Sequence, residues 1–405
     1  MKIAMVSEHA SPLATLGGAD SGGQNIHVAA LARGLAALGH EIVVYTRRDA
    51  EGLPEQARPV PGVTVVHVPA GPPRPIQKDE ILPFVPDFAD WLRRHWMFQP
   101  PDLVHAHFWM SGLAALGATR GLAIPVVQTF HALGVVKQRH QGAEDTSPRE
   151  RPDAERVIAR RVDRIIATCG DEANELVRMN TPPRLLRVVP CGVDPAVFRP
   201  DGPAAPRPRG PRLLSVGRLV PRKGVGTLID AMRLIPGAEL IVAGGASADR
   251  LDDDPEVGRL RRAASEAGVA GRVRFVGTVS HDRIPALMRS ADVAVCVPWY
   301  EPFGMVALEA MACGVPVVAS AVGGQCETVA DGRTGVLVPP RDPRALATAV
   351  NTLLRDPRLR AAYGRAGARR ARTLYGWERV CAETLAVYEE VVAPQAGAAG
   401  ERKAS

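Results

Sequence analysis

Short, uninterrupted runs of Val, Ile and Leu alternate with longer stretches of helical character along this chain. No other feature restricts its fold as much. The runs fall at residues 3–6, 42–45, 63–68, 103–106, 126–129, 164–167 and 186–189 in the first half. They recur at 213–216, 239–243, 273–276, 293–297, 315–319 and 336–338 in the second. A strand that is apolar at every position has to be covered on both faces. The pattern therefore predicts an α/β protein with parallel sheets between layers of helices. Between the two sets lies PDGPAAPRPRGP, part of a window with six prolines at 194–211, which reads as a stiff, extended connector.

At 405 residues the chain exceeds one ordinary core. The expected division is an N-terminal Rossmann-like domain at 1–195, a Pro-rich linker at 196–211 and a second Rossmann-like domain at 212–375. A helix at 376–405 is expected to return to the first domain and end in a frayed tail. Two such domains place a ligand at the carboxyl ends of their strands, in the cleft between them. Six cysteines without a Cys-x-x-Cys pair read as reduced residues of a cytoplasmic protein. No signal peptide is visible, and the longest uncharged run, 103–119, holds two histidines and a Ser-Gly break, so it is no membrane span. Of the net charge of +7, most sits in residues 201–405, where 28 Lys and Arg face 22 Asp and Glu. The surplus lacks the interleaved aromatics that single-stranded nucleic acid needs. It suits an anionic small ligand, and a solvated basic surface equally well.

Three motifs follow strands. In LGGADSGGQNIHVAALARGLAALGH a glycine-rich loop opens into an amphipathic helix starting near Gly22 and Gly23. Free N–H groups and the helix dipole favour an anion there. The loop is too long for a dinucleotide fingerprint. In LLSVGRLVPRKG a strand ends at Gly217, and Arg218 and Lys223 flank the turn, well placed to grip a diphosphate. In YEPFGMVALEAMACG, Glu301 sits in a strand-to-helix turn, Gly304 and Met305 start the helix, and Glu309 falls inside its apolar second turn. A lone carboxylate there is costly. A partner arginine, a helix end nearer water than it looks, or a ligand rich in hydroxyl donors would each satisfy it. Asp252-Asp253-Asp254 follows no strand and reads as solvated surface. Arg156, Arg160 and Arg164 recur every four residues, as on a solvated helix face or one that touches anionic lipid.

The pair Glu301 and Glu309, the Arg218/Lys223 grip and the GGQ loop, in this order, resemble the family 4 retaining glycosyltransferases, which have the GT-B fold of two Rossmann-like domains. DSGGQN, VHAHFWMSG and TFHALG are most similar to the branch of inositol-phosphate N-acetylglucosaminyltransferases and sucrose-phosphate synthases. The resemblance implies that Glu309 accepts from the nucleotide ribose hydroxyls. Glu301, with the backbone at Phe303, Gly304 and Met305, would bind the transferred sugar. Arg218 and Lys223 would clamp the diphosphate with help from Gly22 and Gly23, and His131 would lie beside the donor sugar. On the acceptor side it implies Gln24, Asn25, Lys78 and Arg151. Phe108 and Ala132 stand where that branch has hydroxyl-bearing residues.

The implied reaction moves a hexose or N-acetylhexosamine from a nucleotide sugar to a small polyhydroxylated acceptor, with retention and without a metal. The donor is a UDP-sugar in preference to a GDP-sugar, and no cofactor is required. The acceptor is a cyclitol or sugar, phosphorylated or free. Neither nucleic acid nor membrane contact is expected, and a homodimer is left open. A nucleotide-sugar epimerase, a binding module without turnover and a membrane-surface glycolipid synthase are the rival readings.

Overall fold

The computed structural model describes residues 1–13, 22–207 and 210–403. The chain forms two compact units, one of Met1–Pro190 with Trp377–Ser405 and one of Cys191–Gly376. In the first, the strands are β1 (Lys2–Val6), β2 (Glu41–Arg47), β3 (Gln56–Val60), β4 (Val63–Val68), β5 (Leu103–His107), β6 (Val126–Thr129), β7 (Arg164–Ala167) and β8 (Leu186–Val188). They lie in the order β3-β4-β2-β1-β5-β6-β7-β8. Every pairing is parallel except β3 with β4.

β3 is the strand that apolar runs do not reveal. Its sequence, QARPV, carries a charge and a proline, and most of it is exposed. Both features are tolerated only at a sheet edge. The helix Gly23–Ala37 and the final helix, Trp377–Lys403, share one core with β1, β2, β4 and β5. Val28, Leu31 and Leu35 meet Val380, Cys381, Tyr388 and Val391 there. Gly34 is required at that contact, because a Cβ would collide with the Cys381 sulfur.

The second unit holds β9 (Arg212–Val216), β10 (Glu239–Ala243), β11 (Val273–Gly277), β12 (Val293–Cys296), β13 (Val317–Ser320) and β14 (Gly335–Val338). All are parallel, in the order β11-β10-β9-β12-β13-β14. Helices Val225–Met232, Pro255–Glu266 and Pro343–Arg355 share one apolar cluster with the sheet. Helices Ile284–Arg289, Met305–Ala312 and Pro357–Tyr375 share the other. Burial on both sides is why these strands are apolar throughout.

The Pro-rich segment is tied to the second unit. Ala205 N–H donates to Ala286 O at 2.8 Å, Arg289 Nε to Pro203 O at 2.9 Å, and Arg207 pairs with Asp292 at 2.7 Å. Two readings of the sequence are decided. Arg164 opens β7, as the apolar run at 164–167 predicts, so it does not extend the spacing of Arg156 and Arg160 along the helix Arg151–Arg161. Asp254 is not idle surface: it caps the helix Pro255–Glu266 by accepting from Glu256 and Val257 N–H.

Candidate active site

In each sheet the chain reverses direction of winding at one point, between β1 and β5 in the first unit and between β9 and β12 in the second. Ligands of doubly wound sheets sit outside the strand ends at such points. The motif residues cluster at both.

In the second unit β9 runs into Gly217 and Arg218, then a short turn, Pro221–Lys223, leads to Gly224 and the next helix. Gly224 has φ 76°, and a Cβ there would collide with the Val297 carbonyl oxygen. Only glycine lets this turn lie against the end of β12. Lys223 Nζ reaches Glu301 Oε2 at 2.5 Å, so the two motifs meet. Burial would raise the Glu301 carboxyl, but Lys223, with Arg222 and Arg218, outweighs it and holds the group ionised below its usual range.

The loop that carries Glu301 is fixed from behind. Gly324 N–H donates to Glu301 O at 3.1 Å and the Thr328 hydroxyl to Phe303 O at 3.1 Å. Gly323 and Gly324 leave no room for a Cβ against Glu301 O and Pro302 O. Gly304, at φ 94°, caps the helix Met305–Ala312 and frees the N–H groups of its first turn. The carboxyl of Glu309, a residue 8 % exposed, receives no hydrogen bond from the described residues. Its nearest basic neighbour is His281 Nε2 at 4.0 Å. Burial pushes its carboxyl up to about 8, so the proton stays on at neutral pH. No arginine neutralises it, which removes the first of the three answers to its placement.

In the first unit the helix Gly23–Ala37 is capped by Gly22. Asn25 Oδ1 accepts from Gly22 N–H at 3.1 Å, and Asn25 Nδ2 donates to Ser11 O at 3.0 Å. The earlier part of the glycine loop, residues 14–21, lies outside the described residues. Gln24 Nε2 donates to the Ser7 hydroxyl and to His107 O, each at 3.2 Å, bridging the ends of β1 and β5.

Four sequence-predicted residues converge beyond β5 and β6. The Arg151 guanidinium stands 4.9 Å from the Phe108 ring centre and Lys78 Nζ 5.5 Å from it. Arg151 Nη2 donates to Ala132 O at 2.6 Å. Arg151 is only 1 % exposed, and it also donates to Glu155 at 2.8 Å and Ser147 at 3.2 Å. Phe108 and His131 occupy adjacent strand ends with φ of 83° and 60°. For side chains of this size such backbone is costly and collects at ligand sites.

Several neighbours escaped the sequence reading. His107, His105 and His27 surround His131, and burial lowers all four imidazoles, so they are neutral. His9 pairs with the buried Glu8 at 2.7 Å and meets the Phe108 ring edge-on at 4.8 Å. Arg222 adds a third cation beside Glu301. The HAH at the end of an apolar run was the visible signal for His105 and His107, since residues two apart on a strand share a face. Among the described residues no group of three or more His, Cys, Asp or Glu could hold a metal ion.

Two parallel α/β domains with a cation-carboxylate turn at one switch point and a polar strand-end cluster at the other define a glycosyltransferase of the GT-B fold. The family described as Glycosyl transferases group 1 matches residues 203–370, and Glycosyltransferase Family 4 matches residues 21–197. The D-inositol 3-phosphate glycosyltransferase of Acidothermus cellulolyticus is 38 % identical over all of this chain and 93 % of its own length. That of Kribbella flavida is 38 % identical over 96 % of this chain and 95 % of its own. Among solved structures, sucrose-phosphate synthase from Thermosynechococcus elongatus superposes with a TM-score of 0.90 at 33 % identity, covering 97 % of this chain and 99 % of that one. Anabaena Alr3699/HepE in complex with UDP and glucose shares the fold, with a TM-score of 0.73 at 22 % identity over 96 % of this chain and 100 % of its own. The chain belongs to the family 4 glycosyltransferases.

Proposed function

We propose that this enzyme transfers a hexose or N-acetylhexosamine from a UDP-sugar to a hydroxyl of a small cyclitol or sugar, with retention and without a metal ion. The convergence of Lys78, Phe108, Ala132 and Arg151 carries the acceptor reading. It is supported by whole-length likeness to enzymes named D-inositol 3-phosphate glycosyltransferases. Two cations against one aromatic ring suit a small anion or a sugar ring. Three Arg151 nitrogens already donate to protein groups, and Phe108 and Ala132 bring no hydroxyl. A phosphorylated acceptor is therefore preferred only moderately, each missing hydrogen bond being worth about 0.5–1.5 kcal/mol.

In the donor half, Arg218 and Lys223 grip the diphosphate, the N–H groups at Gly304 and Met305 face the sugar, and Glu309 accepts from the ribose. Glu301, ionised and held by Lys223, is placed for the sugar hydroxyls. The acceptor oxygen attacks the anomeric carbon on the face from which the diphosphate departs. As the old C–O bond breaks and the new one forms, the acceptor proton passes to a phosphate oxygen of the leaving group. The cations and the helix N-terminus stabilise the charge on that group, the task a metal performs elsewhere.

A turnover screen tests the proposal: UDP- and GDP-sugars against inositol, inositol phosphate and sugar phosphates, read by mass spectrometry. A glycosylated acceptor formed from a UDP-sugar supports it. Epimerisation of the nucleotide sugar without acceptor, or binding without turnover, defeats it.

A further inference from the structure

His107 ends β5 and is wholly buried, and its Nδ1 lies 3.0 Å from His131 Nε2. The two rings are near-parallel, with centres 5.3 Å apart. Gln24 holds the His107 carbonyl from one side, and the His105 ring lies 4.0 Å away on the other, itself anchored by Tyr388 and Thr129. His107 therefore has little freedom to turn. Its second nitrogen, Nε2, is buried and has no hydrogen-bond partner among the described residues.

One proton occupies the space between the two rings, and it has two homes. If it sits on His131 Nε2, neutral His107 carries its own proton on Nε2, where no acceptor meets it. If it sits on His107 Nδ1, a lone pair goes unmet at His107 Nε2 and the unpaired proton moves to His131 Nδ1. A buried N–H without an acceptor is the rarer and costlier defect. The second arrangement wins, because His131 is only half-buried and its Nδ1, unlike His107 Nε2, is not shut away without a partner, so water or a ligand can accept from it.

We infer that His107 is a positioning residue: its Nδ1–H donates to His131 Nε2 and fixes His131 as the Nδ1–H tautomer, which offers bound sugar a hydrogen-bond donor instead of a base. The inference rests on the proposed place of His131 beside the donor sugar.

Long-range proton–nitrogen spectra of protein labelled with nitrogen-15 histidine read the tautomer directly, with the His131 signal identified by its loss in His131→Gln. The wild type should show His131 protonated on Nδ1. In His107→Asn an amide N–H replaces the ring donor, so the tautomer should persist and kcat/KM stay within about threefold. His107→Asp has nearly the same shape but only accepts. It should move the His131 proton to Nε2 and lower kcat/KM about tenfold or more. An Nε2–H signal or an even mixture in the wild type overturns the inference. So does identical behaviour of the two variants. The wild-type spectrum decides alone if neither variant folds. Full activity in His131→Gln, with the Nδ1–H signal present in the wild type, would remove His131 from the sugar site and leave the pairing intact.

Discussion

If Glu309 holds the ribose as proposed, it should couple donor binding to pH. Its carboxyl is raised from the usual 4.5 to about 8 by burial, so the free protein holds the proton at neutral pH. The sign follows from linkage: the folded state binds this proton more tightly than the unfolded chain, so its contribution to stability fades as pH rises from 4.5 towards 8. Ribose hydroxyls donate best to an ionised carboxylate, so binding must expel the proton. At pH 7 about a tenth of the free protein is ionised here, which weakens binding about tenfold relative to high pH. At pH 6 the fraction is about a hundredth, so affinity should rise roughly fiftyfold from pH 6 to 8. A UDP-sugar is the right ligand, because its diesterified diphosphate does not titrate in this range. Calorimetry in buffers of different ionisation enthalpy should register release of nearly one proton at pH 7. Glu309→Gln should show neither the release nor the slope. Equal pH dependence in wild type and Glu309→Gln would refute the reasoning.

The other predictions follow from single contacts. Arg218→Ala and Lys223→Ala should each lower kcat about 100- to 1,000-fold, while excess EDTA leaves the wild type active; loss on chelation restored by Mg²⁺ or Mn²⁺ counts against the metal-free reading. Lys78→Ala should lower kcat/KM about tenfold for a phosphorylated acceptor and little for its free counterpart, measured as a pair. Arg151→Ala should destabilise the fold by about 3–5 kcal/mol in urea, because it leaves Glu155, fully buried and now unpaired, beside Gly134. Gly224→Ala should cost about 2–3 kcal/mol of stability, since the new methyl meets Val297 O across a left-handed turn.

The parallel strands were legible because burial on both faces forces continuous apolar runs. β3 was not, because an edge strand needs only partial cover and tolerates Pro59 and Arg58. Arg164 carried two readings, strand by its apolar run and helix face by its spacing from Arg156 and Arg160; the run held, because spacing alone does not record where one element ends. Arg218, Lys223, Glu301 and Glu309 were legible from residue type and position after strands. Their meeting was not, because the Lys223–Glu301 contact joins residues 78 apart. Arg151 was reached only through the family resemblance; its burial against Glu155, Ser147 and Ala132 depends on tertiary packing. The histidine cluster was hidden for the same reason, three of its members coming from different elements.

The most direct test is the anomeric configuration of the product. An α-linked UDP-sugar and an inositol or sugar acceptor are incubated with the enzyme in EDTA, and the anomeric proton of the product is followed by NMR. The account predicts an α-glycoside of the acceptor, formed together with UDP. A β-glycoside, or a reaction that starts only when a divalent metal is returned, would contradict it.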